Sequence, residues 1–291
     1  MATTTPTLNA PDGAGASRAR RMLNKVPEIT LYFWVIKVLC TTVGETVADL
    51  MSDNLGLGEK LTALIMAGVL AVVLAWQFRK RSYVPSVYWL AVVLISIVGT
   101  LITDNLTDNY GVTTSVTTPI FAGALALTFA VWYGFERTLS IHTITTTRRE
   151  AFYWLAILFT FALGTAGGDL LSEKLNLGYW VAAGIFAGAI ALVAFAHYGL
   201  RANAVLTFWL AYILTRPLGA SMGDGLSQHD NQGLGLGTYA TSAIFLAVIG
   251  ALVVYLTRSK VDRTRADAGL AADHPHHRER LGMPELATET A

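Results

Sequence analysis

Charge is what this 291-residue sequence has least of. Asp, Glu, Lys and Arg together make up 14% of it, against roughly 25% in an ordinary soluble domain. Hydrophobic residues make up 53% and mean hydropathy is +0.49, which excludes a water-soluble globule and predicts a polytopic membrane protein. Cys40 is the only cysteine, so an internal disulfide and a cysteine-based zinc cluster are excluded. The net charge is only +1, which gives no bulk attraction to nucleic acid. The opening MATTTPTLNAPDGAGASRARR has no apolar stretch ahead of its arginines and reads as a polar tail, not a signal peptide. No nucleophile elbow, HExxH or P-loop occurs, so no enzyme is expected; GLGLG at 233–237 has no strand before it and reads as a turn.

A spanning helix needs about 20 mostly apolar residues. Eight stretches qualify, at about 27–51, 59–78, 85–107, 116–136, 150–173, 178–198, 203–225 and 237–257. The expected fold is an all-α bundle of eight transmembrane helices over residues 26–258, with disordered polar tails at 1–25 and 259–291. Of the 21 lysines and arginines, 17 fall in the tails and in the connections after even-numbered spans. Lys60 and Lys174 fall on the opposite side, and Lys37 and Arg216 lie inside spans. Cytoplasmic loops carry the excess of positive charge, so both termini are expected in the cytoplasm.

The chain repeats itself. Trp34, Trp89, Trp154 and Trp209 each follow an aromatic residue, Phe33, Tyr88, Tyr153 or Phe208, near the start of an odd-numbered span. Ten residues after each comes Gly44, Gly99, Gly164 or Gly219; fifteen after each comes Asp49, Asp104, Asp169 or Asp224. In the even spans IMAG, IFAG and IFAG end in Gly68, Gly123 and Gly188, with IFLA in the fourth copy. These offsets predict four parallel helical-hairpin repeats, at about 26–80, 81–140, 146–200 and 201–258. A pseudo-fourfold or paired twofold axis along the membrane normal would relate them. Trp spacings of 55, 65 and 55 pair the first two copies and the last two, with ERTLSIHTITTTRRE as the join. On these residues, and on the opening KVPEITLYFWVIKVLCTTVGETVAD, the sequence resembles a family of bacterial integral membrane proteins. Its members are built from four tandem copies of a two-span repeat of unknown function with a characteristic tryptophan. The resemblance covers about residues 24–258 and implies a multi-pass protein of the bacterial inner membrane; it implies no activity.

Positions three or four apart share a helix face, so offsets +7, +11 and +15 from each Trp line one stripe. The stripes read Thr41, Glu45, Asp49; Ser96, Thr100, Asp104; Phe161, Thr165, Asp169; and Arg216, Ala220, Asp224. One turn further stand Asp53, Asp108, Glu173 and Gln228, expected at the outer rim. A lipid-facing carboxylate costs at least about 2.5–3.5 kcal/mol, so the stripes are expected to face one polar interior. At about 1.5 Å per residue the aspartates lie roughly 22 Å from the tryptophans, in the outer half of the membrane around a vestibule that opens outward. Inside the spans, five acids against Lys37 and Arg216 leave a formal charge of −3, which calls for a bound cation or for protonated carboxylates. Oxygen ligands suit Mg²⁺, Ca²⁺, Mn²⁺ or protons.

The expected function is a transporter or channel-like carrier for a small inorganic cation. Glu45 and the four aspartates would bind it, Thr41, Ser96, Thr100 and Thr165 would add neutral oxygens, and Lys37 and Arg216 would balance charge. Two alternatives stand beside it: an ion-binding membrane sensor, and a structural or assembly component with internal ion pairs. The bland reading of the aspartates is polar helix ends touching water. The partners expected are the lipid bilayer and the cation, with no nucleic acid and no cofactor beyond a bound divalent ion; a homo-oligomer is left open. The tryptophans are expected to be interfacial anchors. Lys37, in the first span, is in the wrong place for a retinal Schiff base. Pro217 predicts a kink in its helix, and Gly164, Ala166, Gly167 and Gly168 are expected to let helices approach closely or the backbone open beside Asp169. HPHH at 274–277 reads as polar tail.

Overall fold

The structure, a computed structural model, describes residues 24–174, 177–229 and 233–262, apart from the side chains of Glu173 and Lys174. Most of both expected tails, the HPHH segment and the Glu173 rim position lie outside the described residues. Among the described residues there are eight long helices and no strand. They are α1 (Leu31–Asp49), α2 (Glu59–Arg79), α3 (Pro85–Asp104), α4 (Thr114–Glu136), α5 (Thr147–Asp169), α6 (Tyr179–Tyr198), α7 (Ala204–Ser227) and α8 (Thr238–Ser259). Each expected span coincides with one helix to within a few residues. Seven helices are long and apolar enough to cross a membrane; α7 has the length, but Arg216, Pro217 and Asp224 make it less apolar.

Helix boundaries follow from local chemistry. Thr30 and Thr146 cap α1 and α5 by accepting from the amides of Phe33 and Arg149. Asn203 caps α7 by accepting from Val205 and Leu206, and Pro85 opens α3 where its missing N–H is not needed. α2, α6 and α8 start directly after Gly58, Gly178 and Gly237, at φ of 72°, 78° and 80°, a backbone conformation closed to residues with a Cβ. α1, α3 and α5 do not stop at their aspartates. Each runs into a five-residue π-helical turn, at Leu50–Asn54, Asn105–Asn109 and Leu170–Lys174.

Burial sorts the helices into two shells. α1, α3 and α5 bury 61, 83 and 56% of their most apolar stretch, whereas α2, α4, α6 and α8 bury 28% or less. The inner helices form a closed ring in which α1 packs on α3, α3 on α5, α5 on α7 and α7 on α1. Outside it, α2 lies on α3, α4 on α5, α6 on α7 and α8 on α1. Each outer helix therefore covers the inner helix of the next repeat, and the two helices of one repeat hardly touch. This corrects the hairpin expectation: the repeat is a hairpin in sequence, but its packing partner is the neighbouring copy. Leu64, Val72, Leu127, Leu192 and Val254 stand exposed on the outer shell, an apolar surface that lipid accommodates and water does not.

Both ends of the described chain close over the end of the ring where the inner helices begin, the basic end. The Glu28 amide donates to the Asp262 carbonyl at 2.9 Å, and the Tyr83 hydroxyl donates to Asp262 Oδ2 at 2.6 Å. Burial, reinforced by Asp262, holds the Tyr83 proton above the ordinary phenol range. Lys25 Nζ, also buried, donates to Glu150 Oε2 at 2.5 Å and to the Phe78 carbonyl at 3.1 Å. Asn24, Lys25 and Asp262, which the sequence reading placed in tails, are thus packed residues.

Candidate functional site

Successive layers of side chains fill the inner ring. At the basic end, the residue before each Trp packs on the Trp of a neighbouring helix. Centroid separations are 5.6 Å for Phe33 on Trp89, 5.5 Å for Tyr88 on Trp154, 6.3 Å for Tyr153 on Trp209 and 5.8 Å for Phe208 on Trp34. The Tyr88 and Tyr153 hydroxyls share a hydrogen bond of 2.5 Å, and Trp209 Nε1 donates to the Leu139 carbonyl at 3.0 Å. Trp89, Trp154 and Trp209 are buried and Trp34 is half-buried. The anchor expectation is overturned: these rings pack on each other, edge and face, and plug the basic end.

Four glycines set the next layer. A Cβ built on Gly44 would lie 2.6 Å from Ser96 Cβ; on Gly99, 2.6 Å from Phe161 Cβ; on Gly164, 2.5 Å from Arg216 Cβ; on Gly219, 2.6 Å from Thr41 Cβ. The glycine of each copy is the seat for the +7 residue of the next, and the fourth copy seats the first. α7 runs as one helix through Pro217, and the proline ring packs at Gly168.

Arg216 is fully buried and reaches every inner helix. Its Nη2 donates to Glu45 Oε2 at 2.6 Å, to Thr165 Oγ1 at 2.7 Å and to Thr100 Oγ1, while Nη1 donates to the Thr41 carbonyl at 3.4 Å. It is thus a direct counter-charge, as expected. Lys37 is not. Its Nζ lies 4.1 Å from the Phe161 ring and 4.2 Å from the Tyr212 ring, makes no hydrogen bond, and is held by aromatic faces instead of carboxylates.

Beyond Arg216 the ring opens into a cavity of about 180 Å³. Glu45, Asp49, Asp104, Asp169 and Asp224 line it, joined by Asp53, Asp108 and Glu59, and no lysine or arginine does. Gln228 Nε2 donates to Asp49 Oδ2 at 3.1 Å, Asn109 Nδ2 donates to Glu59 Oε2 at 2.6 Å, and Asp104 lies within electrostatic reach of Glu45, Asp49 and Asp169. The carboxylates gather around one space and do not splay apart. Yet among the described residues no three Asp, Glu, His or Cys side chains come close enough to hold one metal ion between them. The arrangement is a wide acidic vestibule, suited to a hydrated cation, and not a closed chelate.

The four hydroxyls expected as neutral ligands are absent from its lining. Thr100 and Thr165 accept from Arg216, Thr41 donates to the carbonyls of Val38 and Thr215, and Ser96 sits against Gly44. They lie on the right stripe but on the far side of the arginine. Five lining residues escaped the sequence reading: Ser52 and Thr107, each 18 residues after its Trp, and Glu59, Thr114 and Tyr179, the first residues of α2, α4 and α6, each 25 residues after its Trp. Both shared offsets could have revealed them. The π turns directly after Asp49, Asp104 and Asp169 left no such signal; π turns are frequent at functional sites.

Fold and site together define a polytopic helical membrane protein of four repeated units around an acidic vestibule. Residues 32–83, 87–138, 152–203 and 207–262 each match one family model, described as Repeat of Unknown Function (DUF347). Each match begins two residues before one of the four tryptophans, so the family's phase and the phase read from the offsets are the same. The chain belongs to this repeat family. No curated protein and no solved structure matches it.

Proposed function

We propose that this protein carries a small cation across the bacterial inner membrane, taking it into the vestibule through Glu45, Asp49, Asp104, Asp169 and Asp224. One observation carries the reading: eight carboxylates and no lysine or arginine line a single cavity inside a bundle whose outer surface is apolar. So many acids in a low-dielectric setting are unfavourable unless cations or protons enter among them. The absence of a tight three-ligand cluster among the described residues favours a hydrated divalent ion, Mg²⁺, Ca²⁺ or Mn²⁺, or protons, over a dehydrated ion held as a cofactor.

The vestibule stops at Arg216 and the aromatic plug, which favours a carrier that rearranges over an open channel. The excess of lysine and arginine at the basic end supports a cytoplasmic position for that end and an outward-facing vestibule. The closed sets of ring, glycine and helix contacts support an approximate fourfold axis along the membrane normal. The Arg216 network favours a second, structural role for Glu45, as the tie of the first copy to the fourth. Nothing in this reading calls on enzymatic chemistry.

The test is flux into liposomes holding the purified full chain, with Mg²⁺, Ca²⁺ and Mn²⁺ read by a trapped indicator. Asp104→Asn with Asp169→Asn is expected to slow uptake by roughly tenfold or more at an unchanged elution volume. Unchanged uptake in that variant overturns the reading.

A further inference from the structure

Among the described residues, Glu45 alone both lines the vestibule and bonds to Arg216. The other partners of the guanidinium, Thr41, Thr100 and Thr165, lie outside the lining. A cation that reaches the bottom of the vestibule therefore meets a carboxylate that the chain's own cation already holds.

For an arginine the hold is a poor one. A guanidinium grips a carboxylate best through two parallel N–H···O bonds; here the bond runs from Nη2 to Oε2 only, at 2.6 Å. Nη2 has two protons and faces three oxygens, on Glu45, Thr100 and Thr165. Nη1 has the Thr41 carbonyl at 3.4 Å, and the buried Nε has no acceptor. A guanidinium stays charged in proteins, so loss of a proton cannot relieve this crowding. Movement can.

The helix that carries Arg216 is built to allow it. Pro217, next in the chain, has no N–H to give to the Ile213 carbonyl four residues earlier, so the α7 ladder lacks a rung at this level. α1 and α5 contain no proline, and α3 has only Pro85, at its first position. Toward the plug, the Phe161 ring lies 6.0 Å from the Arg216 Cζ and offers a face to a cation. Lys37 Nζ holds the same ring at 4.1 Å. A guanidinium that leaves Glu45 thus retreats toward a like charge, which drives it back once the carboxylate is free again.

We infer that Arg216 is a tethered cation that competes with the transported one for Glu45. This deepens the cation reading above and rests on it. A cation arriving at Glu45 displaces the guanidinium. The bonds that tie α7 through Arg216 to Thr41 of α1, Thr100 of α3 and Thr165 of α5 loosen together, and the floor of the vestibule gives way. When the cation leaves, Arg216 returns to Glu45 and the floor reseals.

The experiment is calorimetry on the purified full chain in detergent, with Mg²⁺, Ca²⁺ and Mn²⁺ titrated into the natural sequence, Arg216→Gln, Glu45→Gln and the double variant. A competitor weakens what it competes with, so Arg216→Gln is expected to bind cation roughly tenfold more tightly while melting lower than the natural chain. In the Glu45→Gln background the same change is expected to leave affinity within about twofold. A residue that only held the fold together would lower affinity when replaced, and a distant charge would raise it equally in both backgrounds; either result overturns the displacement. If Arg216→Gln does not fold, the natural chain decides. Cys40, the only cysteine and fully buried next to Thr41, is expected to react faster with a maleimide at saturating cation than in N-methylglucamine of the same ionic strength. An unchanged rate overturns the loosening of the floor. A natural chain that binds none of the three ions overturns the vestibule reading and takes the displacement with it. One that binds them, with no gain in Arg216→Gln, overturns the displacement alone.

Discussion

Arg216 shows how much one residue can hold in this bundle. Its guanidinium takes Glu45, Thr100, Thr165 and the Thr41 carbonyl at once, so Arg216→Met leaves a buried carboxylate and two hydroxyls uncompensated. Breaking a buried pair from one side costs about 3–5 kcal/mol, and a fluorescence melt of detergent-purified protein is expected to show it. Removing Glu45 as well, as Glu45→Met in the Arg216→Met background, is expected to return much of the loss, since neither charge is then orphaned. The tryptophans separate in the same assay. Trp89→Ala empties a buried site and is expected to lose about 3–5 kcal/mol, whereas Trp34→Ala, at a half-buried site, loses less. Headgroup anchors would instead give two similar and mild effects. Burial of these rings was not legible because a Trp near a helix start has the same sequence context whether it meets lipid headgroups or another ring.

At the scale of helices, the two sets of repeated glycines have opposite meanings. Gly44, Gly99, Gly164 and Gly219 are seats for side chains of the next inner helix, and Gly219→Ala would drive a methyl against Thr41 Cβ and the Thr42 backbone. Overpacking of this kind costs typically about 1–3 kcal/mol. Gly68, Gly123 and Gly188 have nothing within 4 Å of a Cβ, so alanine there is expected to be neutral or to raise the melting point, as helix propensity gains up to about 1 kcal/mol. Melts of Gly219→Ala beside Gly188→Ala check the contrast. The sequence repeats the seat glycine in four copies and the surface glycine in three, and periodicity cannot distinguish a seat from a surface until it is known which helix lies inward. Seven of the eight helices were legible as mostly apolar runs of spanning length, and α7 was legible by the Trp, Gly and Asp offsets it shares with α1, α3 and α5. The partner of each outer helix was not, because a connection as short as Leu55–Gly58 is compatible with lying back on its own repeat or crossing to the next.

For the molecule as a whole, the convergence of the carboxylates was legible: four copies of Asp at one offset in apolar helices have nowhere inexpensive to point except toward each other. The division of the stripe into a vestibule and a sealed floor was not, because it depends on Arg216 turning across the axis to consume Thr100 and Thr165. The ring also predicts how the chain tolerates cutting. Residues 24–140 and 144–262, expressed as separate pieces with a tag on one, are expected to copurify, since α3 on α5 and α7 on α1 rejoin them from both sides; recovery of the tagged piece alone would show that chain continuity is required. With α8 lying on α1 and Glu28 bonded to Asp262, no copy is first in space. A gene reordered to begin at Thr146, with 262 joined to 24 through a flexible linker so that Lys25 keeps Glu150, should encode the same bundle. For the same reason no quarter of the assembly can shift privately: a push on any one copy is transmitted both ways around the circle and meets itself on the far side, so the mouth must widen or narrow as a unit.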